Sequence, residues 1–160
     1  GELMMTPSQE GRVLQALGLR KDENVLEIGA GSGFLTACLA SLSKHVTSID
    51  IHKDFVDTAK RKLAATGFDN VELLQMDATQ ELPDGRYDAI AVTGSLQVFD
   101  PRFVEALVPN GRLFVIVGDS PAMEAKLIER TNEHDWQSLS LFETDLAPLV
   151  HGALPQQFSF

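Results

Sequence analysis

The stretch Val25-Leu-Glu-Ile-Gly-Ala-Gly-Ser-Gly-Phe34 decides the fold of this chain. An apolar strand is predicted to end in Glu27, a loop with glycine at positions 29, 31 and 33 follows, and the helix-like segment 35–42 comes next. A strand that leads through a glycine loop into a helix brings bare backbone and free N–H groups up to a ligand. Dinucleotide folds favour G-x-G-x-x-G, but here Phe34 holds the place of the third glycine. The acidic residue ahead of the loop suits a ligand with a positively charged amino-acid end.

Two further carboxylates follow predicted strands. Asp50 lies 21 residues beyond Gly29, close to the spacing at which an acidic residue meets ribose hydroxyls. A carboxylate can accept from both hydroxyls at once, so it is the residue type that a ribose needs. Asp77 ends the next strand and, with Ala78 beside it, is expected near the adenine amino group. We therefore predict a nucleoside site built on strand ends, and acidic-x-G-x-G-x-G resembles the pattern of S-adenosylmethionine-dependent methyltransferases.

Strands alternate with helices along most of the chain. The first helix is expected to begin at a capping box made by Thr6, Pro7 and Gln9, and to end at Gly18. Further strands are predicted at 46–50, 70–76, 87–92 and 113–117, with a helix capped by Asp54 through Ala65, another opened by Asp100-Pro101, and a turn at 108–111. Alternation of this kind predicts an α/β fold with a mostly parallel sheet and helices on both faces.

The C-terminal part breaks this alternation. Residues 122–130 could form a helix, but 131–135 is typical of a turn and 137–142 of a strand. We therefore predict two antiparallel strands joined by that turn.

Composition limits the class of protein. The 160 residues are expected to form a single domain, with 44% hydrophobic residues and a net charge of −10 that argues against RNA or DNA as a partner. No apolar run approaches the roughly 20 residues that cross a bilayer, and no signal peptide is visible. The single Cys38 fits a reducing cytoplasm, and no group of residues has metal-ligand spacing, so we predict a cytoplasmic protein without a metal.

The chain resembles the protein L-isoaspartate O-methyltransferase family over nearly its whole length. The matching motifs are Pro7, Val25 to Phe34, Asp50, Asn70-Val71, Asp77, Asp88-Ala-Ile-Ala-Val-Thr93, Pro109-Asn-Gly-Arg-Leu113, and Phe142 to Pro148-Leu149. The glycine loop is common to many methyltransferases, whereas the D-A-I-x-V-T block and the closing F…P-L are more particular to this family.

The resemblance implies a Rossmann-like class I methyltransferase fold, S-adenosylmethionine as cofactor, and repair methylation of isoaspartyl residues in proteins or peptides. It implies cofactor-binding roles for Glu27, Gly29, Ala30, Gly31, Gly33, Asp50, Ile51, Asp77, Ala78 and Thr93. It implies substrate-side positions at Met5, Gly94 and Ser95. A carboxylate acceptor is already ionised at neutral pH, so the lack of an obvious catalytic dyad is consistent with this chemistry.

The chain also departs from the family pattern. Family members carry an N-terminal helical segment before the I-S-x-P motif, whereas this sequence starts directly on the motif. Met5 holds the place of the family serine, and Thr6 is a candidate catalytic hydroxyl that is equally explained as a helix cap. A segment Gly94-Ser-Leu-Gln-Val-Phe99 replaces the family's Ala-rich one, so isoaspartate specificity is less secure than cofactor binding.

Three alternatives stay open at the level of sequence. The first is a methyltransferase of the same fold with another acceptor, a small molecule or RNA, although Thr93-Gly-Ser-Leu stands where nucleic-acid amino-methyltransferases often have Asn-Pro-Pro-[Tyr/Phe]. The second is a non-catalytic module that binds the cofactor and a protein partner. The third is an NAD-dependent oxidoreductase, which Phe34 and the glycine spacing disfavour. His52 is a candidate base, and His45, His134 and His151 have no partner that the sequence names.

Overall fold

The computed structural model describes residues 4–157 and shows a seven-stranded sheet with four helices. The elements in chain order are α1 (Pro7–Leu17), β1 (Asn24–Ile28), α2 (Phe34–Leu42), β2 (His45–Asp50), α3 (Lys53–Ala65), β3 (Val71–Gln75), β4 (Tyr87–Leu96), α4 (Arg102–Glu105), β5 (Leu107–Asp119), β6 (Ala122–Arg130) and β7 (Trp136–Thr144). The strand order across the sheet is β3-β2-β1-β4-β5-β6-β7.

The sheet is parallel in its first five strands and antiparallel at its end. β1 lies at the centre of the parallel part, between β2 and β4. β5 and β6 are antiparallel, as are β6 and β7. The predicted α/β class and the C-terminal hairpin are therefore confirmed. The chain order reverses between β1 and β4, and in open parallel sheets such a switch point leaves a crevice at the carboxyl ends of the strands.

The helices cover both faces of the sheet unequally. α1 and α2 pack on the face that carries Val25, Val46 and Phe114, and α3 packs on the same face against Leu73. Only the four-residue α4 packs on the opposite face, where Phe103 enters a core. One face of the sheet thus carries three helices, which together with the glycine loop fix the position of β1 and its neighbours.

The predicted start and end of the first helix are confirmed. Thr6 is the N-cap of α1, its side chain accepts a hydrogen bond from the Gln9 backbone N–H (3.2 Å), and the Gln9 side chain accepts from the Thr6 N–H (2.8 Å). The helix ends at Gly18, which has a left-handed backbone (φ 53°) that glycine adopts without steric cost.

Other predicted boundaries need correction. α3 starts at Lys53 after an extended His52, so Asp54 lies in the first helical turn and is not the N-cap. The predicted antiparallel strand at 122–130 is confirmed, and the helical alternative is excluded, because these residues pair with strands on both sides as β6. Residues 108–111 do not separate α4 from β5; they lie inside β5 as a bulge, between the pairs Tyr87–Leu107 and Ala89–Arg112.

A buried ion pair ties the N-terminal helix to the centre of the sheet. Arg112 on β5 donates to both carboxylate oxygens of Glu23, at 2.5 and 2.7 Å, and also to the carbonyl oxygen of Leu17 at the end of α1. The hydrogen bond from Arg112 is the main cause that holds the pKa of Glu23 below its ordinary value. A bidentate pair of this kind fixes orientation as well as adding energy, so it holds the end of α1 beside β5.

None of the helices within residues 4–157 is both long enough and apolar enough to cross a membrane.

Candidate functional site

Two joined clefts open at the carboxyl ends of β1, β2 and β4. The first, called here the strand-end cleft, is lined by Ile28, Gly29, Ile49, Asp50, Ile51, His52, Met76, Asp77, Ala78, Thr93, Gly94 and residues 147–150. The second, called here the helix-side cleft, is lined by Met4, Met5, Glu10, Gly29, Ala30, Gly31, Ser32, Leu35, Asp50, Phe55 and Thr93. Gly29, Asp50 and Thr93 belong to both, so they mark the junction. Both clefts are open to solvent.

The junction depends on a very close approach between β1 and β4. The single proton of the Thr93 hydroxyl is shared between the carbonyl oxygens of Ile28 (2.8 Å) and Gly29 (3.0 Å). A Cβ atom added to Gly29 would lie only 2.1 Å from that hydroxyl oxygen, and Gly29 has a φ of 99°. Both the space and the backbone conformation therefore require glycine at this position.

Asp50 holds the glycine loop at the end of β2. One of its carboxylate oxygens accepts from the Gly31 N–H (3.1 Å), and the other accepts from the His52 N–H (2.9 Å). The side chain is almost fully buried, with 8% exposure, yet lines both clefts. This fixed carboxylate at the junction is suitably placed to accept hydrogen bonds from a pair of ligand hydroxyls.

Asp77 lies on the far side of the strand-end cleft. One carboxylate oxygen accepts from the backbone N–H (2.9 Å) and the hydroxyl (2.6 Å) of Thr79, and the other lies 2.7 Å from Nδ1 of His151. Partial burial by itself raises the pKa of Asp77, but the hydrogen bonds from Thr79 and His151 outweigh it and hold the pKa below its ordinary value. Asp77 is thus an ionised acceptor at neutral pH. The contacts with Thr79 and His151, one at each carboxylate oxygen, fix the orientation of its side chain.

Glu27 occupies a different environment from the other two strand-end carboxylates. It is fully buried, and one oxygen accepts from the hydroxyls of Thr36 and Ser48, each at 2.5 Å. The other oxygen, Oε2, has no hydrogen-bond partner among residues 4–157. Burial raises the pKa of Glu27 to about 7, and the two hydrogen bonds oppose only part of that rise. Glu27 therefore lies beneath the glycine loop and does not line either cleft.

The segment after β7 forms one wall of the strand-end cleft. Residues 147–150 line it, and the segment is fastened to the end of β4 through Ser95. The Ser95 N–H donates to Ala147 (3.0 Å), its carbonyl accepts from Leu149 (2.8 Å), and its hydroxyl donates to the carbonyl of Leu146 (2.8 Å). Gly94 permits this contact, because an added Cβ would lie 3.1 Å from the Leu149 backbone.

The structure brings most of the predicted site residues together. Those that line a cleft are Met5, Gly29, Ala30, Gly31, Asp50, Ile51, Asp77, Ala78, Thr93 and Gly94. Gly33 packs against Ala59 of α3, and Thr6 is exposed as the cap of α1. Ser95 is 1% exposed and its hydroxyl holds the C-terminal segment, so it does not face a substrate.

Sequence reasoning missed several residues of the site. Glu10 and Phe55 line the helix-side cleft although neither belongs to a quoted motif, and Met4 lies over Gly31. The Asp77–His151 contact joins residues 74 positions apart. The closing F…P-L motif was a signal that the C-terminal segment matters, because its Pro148 and Leu149 prove to be cleft residues.

The residues present fit an adenosyl cofactor with an amino-acid end. Asp50 is the candidate for the ribose hydroxyls, and Asp77 with Ala78 and Met76 for the adenine. Gly29 and Gly31 line the clefts with bare backbone. Gly33, the N-cap of α2, has no side chain that could cover the first helical N–H groups. No group of side chains within residues 4–157 has the arrangement of a metal site.

We expect Gly29→Ala to abolish cofactor binding. The added methyl group must displace the Thr93 hydroxyl and so separate the ends of β1 and β4. Affinity for S-adenosylhomocysteine, measured by calorimetry, should fall beyond detection. Gly85→Ala is the matched control, since Gly85 also has a positive φ (109°) but no atom lies within 4 Å of its added Cβ. It should cost about 1 to 3 kcal/mol of stability through strain and leave affinity unchanged. Equal losses of affinity in both variants would contradict the steric account.

We expect Glu27→Gln to alter the pH dependence of stability. Because the pKa of Glu27 is raised from 4.5 to about 7, folding takes up a proton between these values, and stability declines as the pH rises through about 7. Between roughly pH 5 and pH 8, the free energy of unfolding of the parent should fall by about 2 to 3 kcal/mol more than that of the glutamine variant, as measured by denaturant unfolding. Glu72→Gln, the same change at an exposed strand position, is the control. An unchanged slope in Glu27→Gln would rule out the buried proton.

Comparison with known proteins agrees with this geometry. The family model described as Protein-L-isoaspartate(D-aspartate) O-methyltransferase (PCMT) matches residues 2–153. The chain is 32% identical over 152 residues to protein-L-isoaspartate O-methyltransferase 2 of Pelobacter propionicus, covering 94% of this chain and 68% of that protein. It is 36% identical over 153 residues to the protein-L-isoaspartate O-methyltransferase of Rhodopseudomonas palustris, covering 93% and 69% respectively.

Solved structures agree on the fold. A Plasmodium falciparum protein described as a protein-L-isoaspartate O-methyltransferase, in complex with S-adenosyl-L-homocysteine, superposes with a TM-score of 0.80. It is 22% identical, and the match covers 91% of this chain and 75% of that one. The fold is thus the class I methyltransferase fold. The chain belongs to the protein-L-isoaspartate(D-aspartate) O-methyltransferase family, whose members are S-adenosylmethionine-dependent enzymes.

Proposed function

We propose that this chain transfers a methyl group from S-adenosylmethionine to the free carboxylate of L-isoaspartyl residues in proteins. The observation that carries the proposal is the junction of the two clefts, where a glycine loop and the fixed Asp50 carboxylate meet at the ends of β1, β2 and β4. Membership of the isoaspartate O-methyltransferase family supports the acceptor.

The chain's own task in this reaction is to bind and align. When bound, S-adenosylmethionine supplies a methyl group on a positively charged sulfur, which is already activated for displacement. Asp50 and Asp77 are proposed to hold the nucleoside, which fixes the sulfur near the junction at Thr93. Holding an acceptor carboxylate in line with that sulfur removes much of the entropic barrier. The acceptor is ionised at neutral pH, so no side chain has to remove a proton from it.

Met5 is the residue that most affects the choice of acceptor. It occupies the position of the family serine, it is 8% exposed, and it lines the helix-side cleft. A thioether is a weak hydrogen-bond acceptor and no donor, so Met5 cannot offer a hydroxyl proton to a substrate carboxylate. This favours, as a second candidate, a methyltransferase of the same fold that acts on a less polar acceptor.

Partners and location follow from the same proposal. The family acts on protein substrates, and we propose peptides or proteins with isoaspartyl residues as the partners of this chain. The net charge of −10 supports a partner other than nucleic acid. The single Cys38 supports a cytoplasmic location.

Transfer of labelled methyl groups to an isoaspartyl peptide and to its normal aspartyl twin tests the proposal. We expect the chain to methylate the isoaspartyl peptide selectively, because the two peptides present their carboxylates at different distances from the backbone. The Rhodopseudomonas palustris relative serves as the reference enzyme in the same assay.

A Met5→Ser variant separates the two candidate functions. It restores the family hydroxyl in the helix-side cleft, and we expect kcat/KM for the isoaspartyl peptide to rise about tenfold, the effect of one hydrogen bond to a charged group. If neither the parent chain nor Met5→Ser methylates the peptide while both bind S-adenosylhomocysteine, the acceptor is a different molecule.

A further inference from the structure

Glu10 is a buried carboxylate that the family motifs do not include. It lies in the first turn of α1, is 8% exposed, and lines the helix-side cleft. Burial raises the pKa of its carboxyl group. Its side chain makes no hydrogen bond or ion pair with any other residue between 4 and 157.

The absence of a protein partner distinguishes Glu10 from the other buried charged residues. Glu23 forms an ion pair with Arg112. Glu27 accepts hydrogen bonds from two hydroxyls, and Asp50 accepts hydrogen bonds from two backbone N–H groups. Arg130 donates to the carbonyl oxygens of Glu105 and Leu107 among others. The Glu10 side chain is mostly buried and receives no donor from the part of the chain that the structure describes, and because it lines an open cleft, a ligand in that cleft can supply the donor.

The walls of the helix-side cleft specify a cationic ligand group. Glu10 and Asp50 bring two carboxylates to it, and no Lys, Arg or His is among its lining residues within 4–157. The negative charge of Glu10 is a minor cause of the raised pKa of Glu27. The Oε2 atom of Glu27 also lacks a hydrogen-bond partner within residues 4–157. Met5, Leu35 and Phe55 make the rest of the wall apolar. A small ammonium group on a short aliphatic chain matches this combination of charge and apolar surface.

The positions of the two clefts indicate which part of the cofactor places an ammonium group in the helix-side cleft. Asp77 and Ala78, the candidate adenine residues, line only the strand-end cleft, and Asp50 lies at the junction. A molecule with adenine at one end and ribose at Asp50 continues into the helix-side cleft with its amino-acid end. That end of S-adenosylmethionine carries an α-ammonium group, which is a triple donor.

We propose that Glu10 is a cofactor-binding residue that accepts a hydrogen bond from the α-ammonium group of S-adenosylmethionine. The inference rests on the proposed use of that cofactor and adds a residue on α1 to its site.

Calorimetric titration of Glu10→Gln with two ligands tests this. S-adenosylhomocysteine carries the amino-acid end, whereas 5′-methylthioadenosine has the same nucleoside and sulfur without it. We expect Glu10→Gln to bind S-adenosylhomocysteine about 10- to 100-fold more weakly, as for a lost charge-assisted hydrogen bond, and to bind 5′-methylthioadenosine as the parent does. Glutamine has nearly the same shape, so the fold should be retained, and denaturant unfolding would verify it.

Asp54→Asn is the matched control, because Asp54 also lies in the first turn of a helix but is exposed and lines neither cleft. It changes the net charge equally and should leave both affinities unchanged. The proposal is overturned if Glu10→Gln keeps its affinity for S-adenosylhomocysteine, or if it loses affinity for both ligands alike. A parent chain that binds neither ligand would overturn the proposed function as well, so the two failures are distinguishable.

Discussion

The site depends on the close approach of β1 and β4 at Gly29 and Thr93. The Thr93 hydroxyl occupies the space of a Cβ atom at Gly29 and holds two carbonyl oxygens at the end of β1. This contact lies at the switch point of the sheet, where helices leave the crevice open. Asp50 then fixes the loop from the other side by accepting the Gly31 N–H. The two clefts meet because these three strand ends are held together without a large side chain between them.

Three carboxylates at three strand ends have three different environments. Asp50 is fixed by backbone N–H groups at the junction, and Asp77 is held ionised by Thr79 and His151. Glu27 is fully buried under the loop, and its pKa is raised to about 7. Residues of one chemical type can thus hold a ribose, receive an adenine amino group and support the loop from below. Burial and hydrogen bonding decide which task each of them can perform.

The sequence predicts the fold and the centre of the site because the signals there are local. The glycine loop, the capping box at Thr6 and the strand ends at Asp50 and Asp77 each rest on a few neighbouring residues. What it cannot predict depends on distant contacts. Glu10 becomes a cleft residue only because Arg112 and the core hold α1 beside β5, and His151 meets Asp77 from 74 positions away. The local sequence of 122–130 also allows a helix, and it is the pairing with two neighbouring strands that decides for the predicted extended form.

The joined clefts are proposed to hold S-adenosylmethionine and not a dinucleotide. Titration of the unmodified chain with S-adenosylhomocysteine and with NADH distinguishes the two ligands. We expect saturable binding of S-adenosylhomocysteine, with no displacement by NADH, because Phe34 replaces the glycine that a dinucleotide loop needs. Binding of NADH in competition with S-adenosylhomocysteine, or no binding of S-adenosylhomocysteine at all, would contradict it.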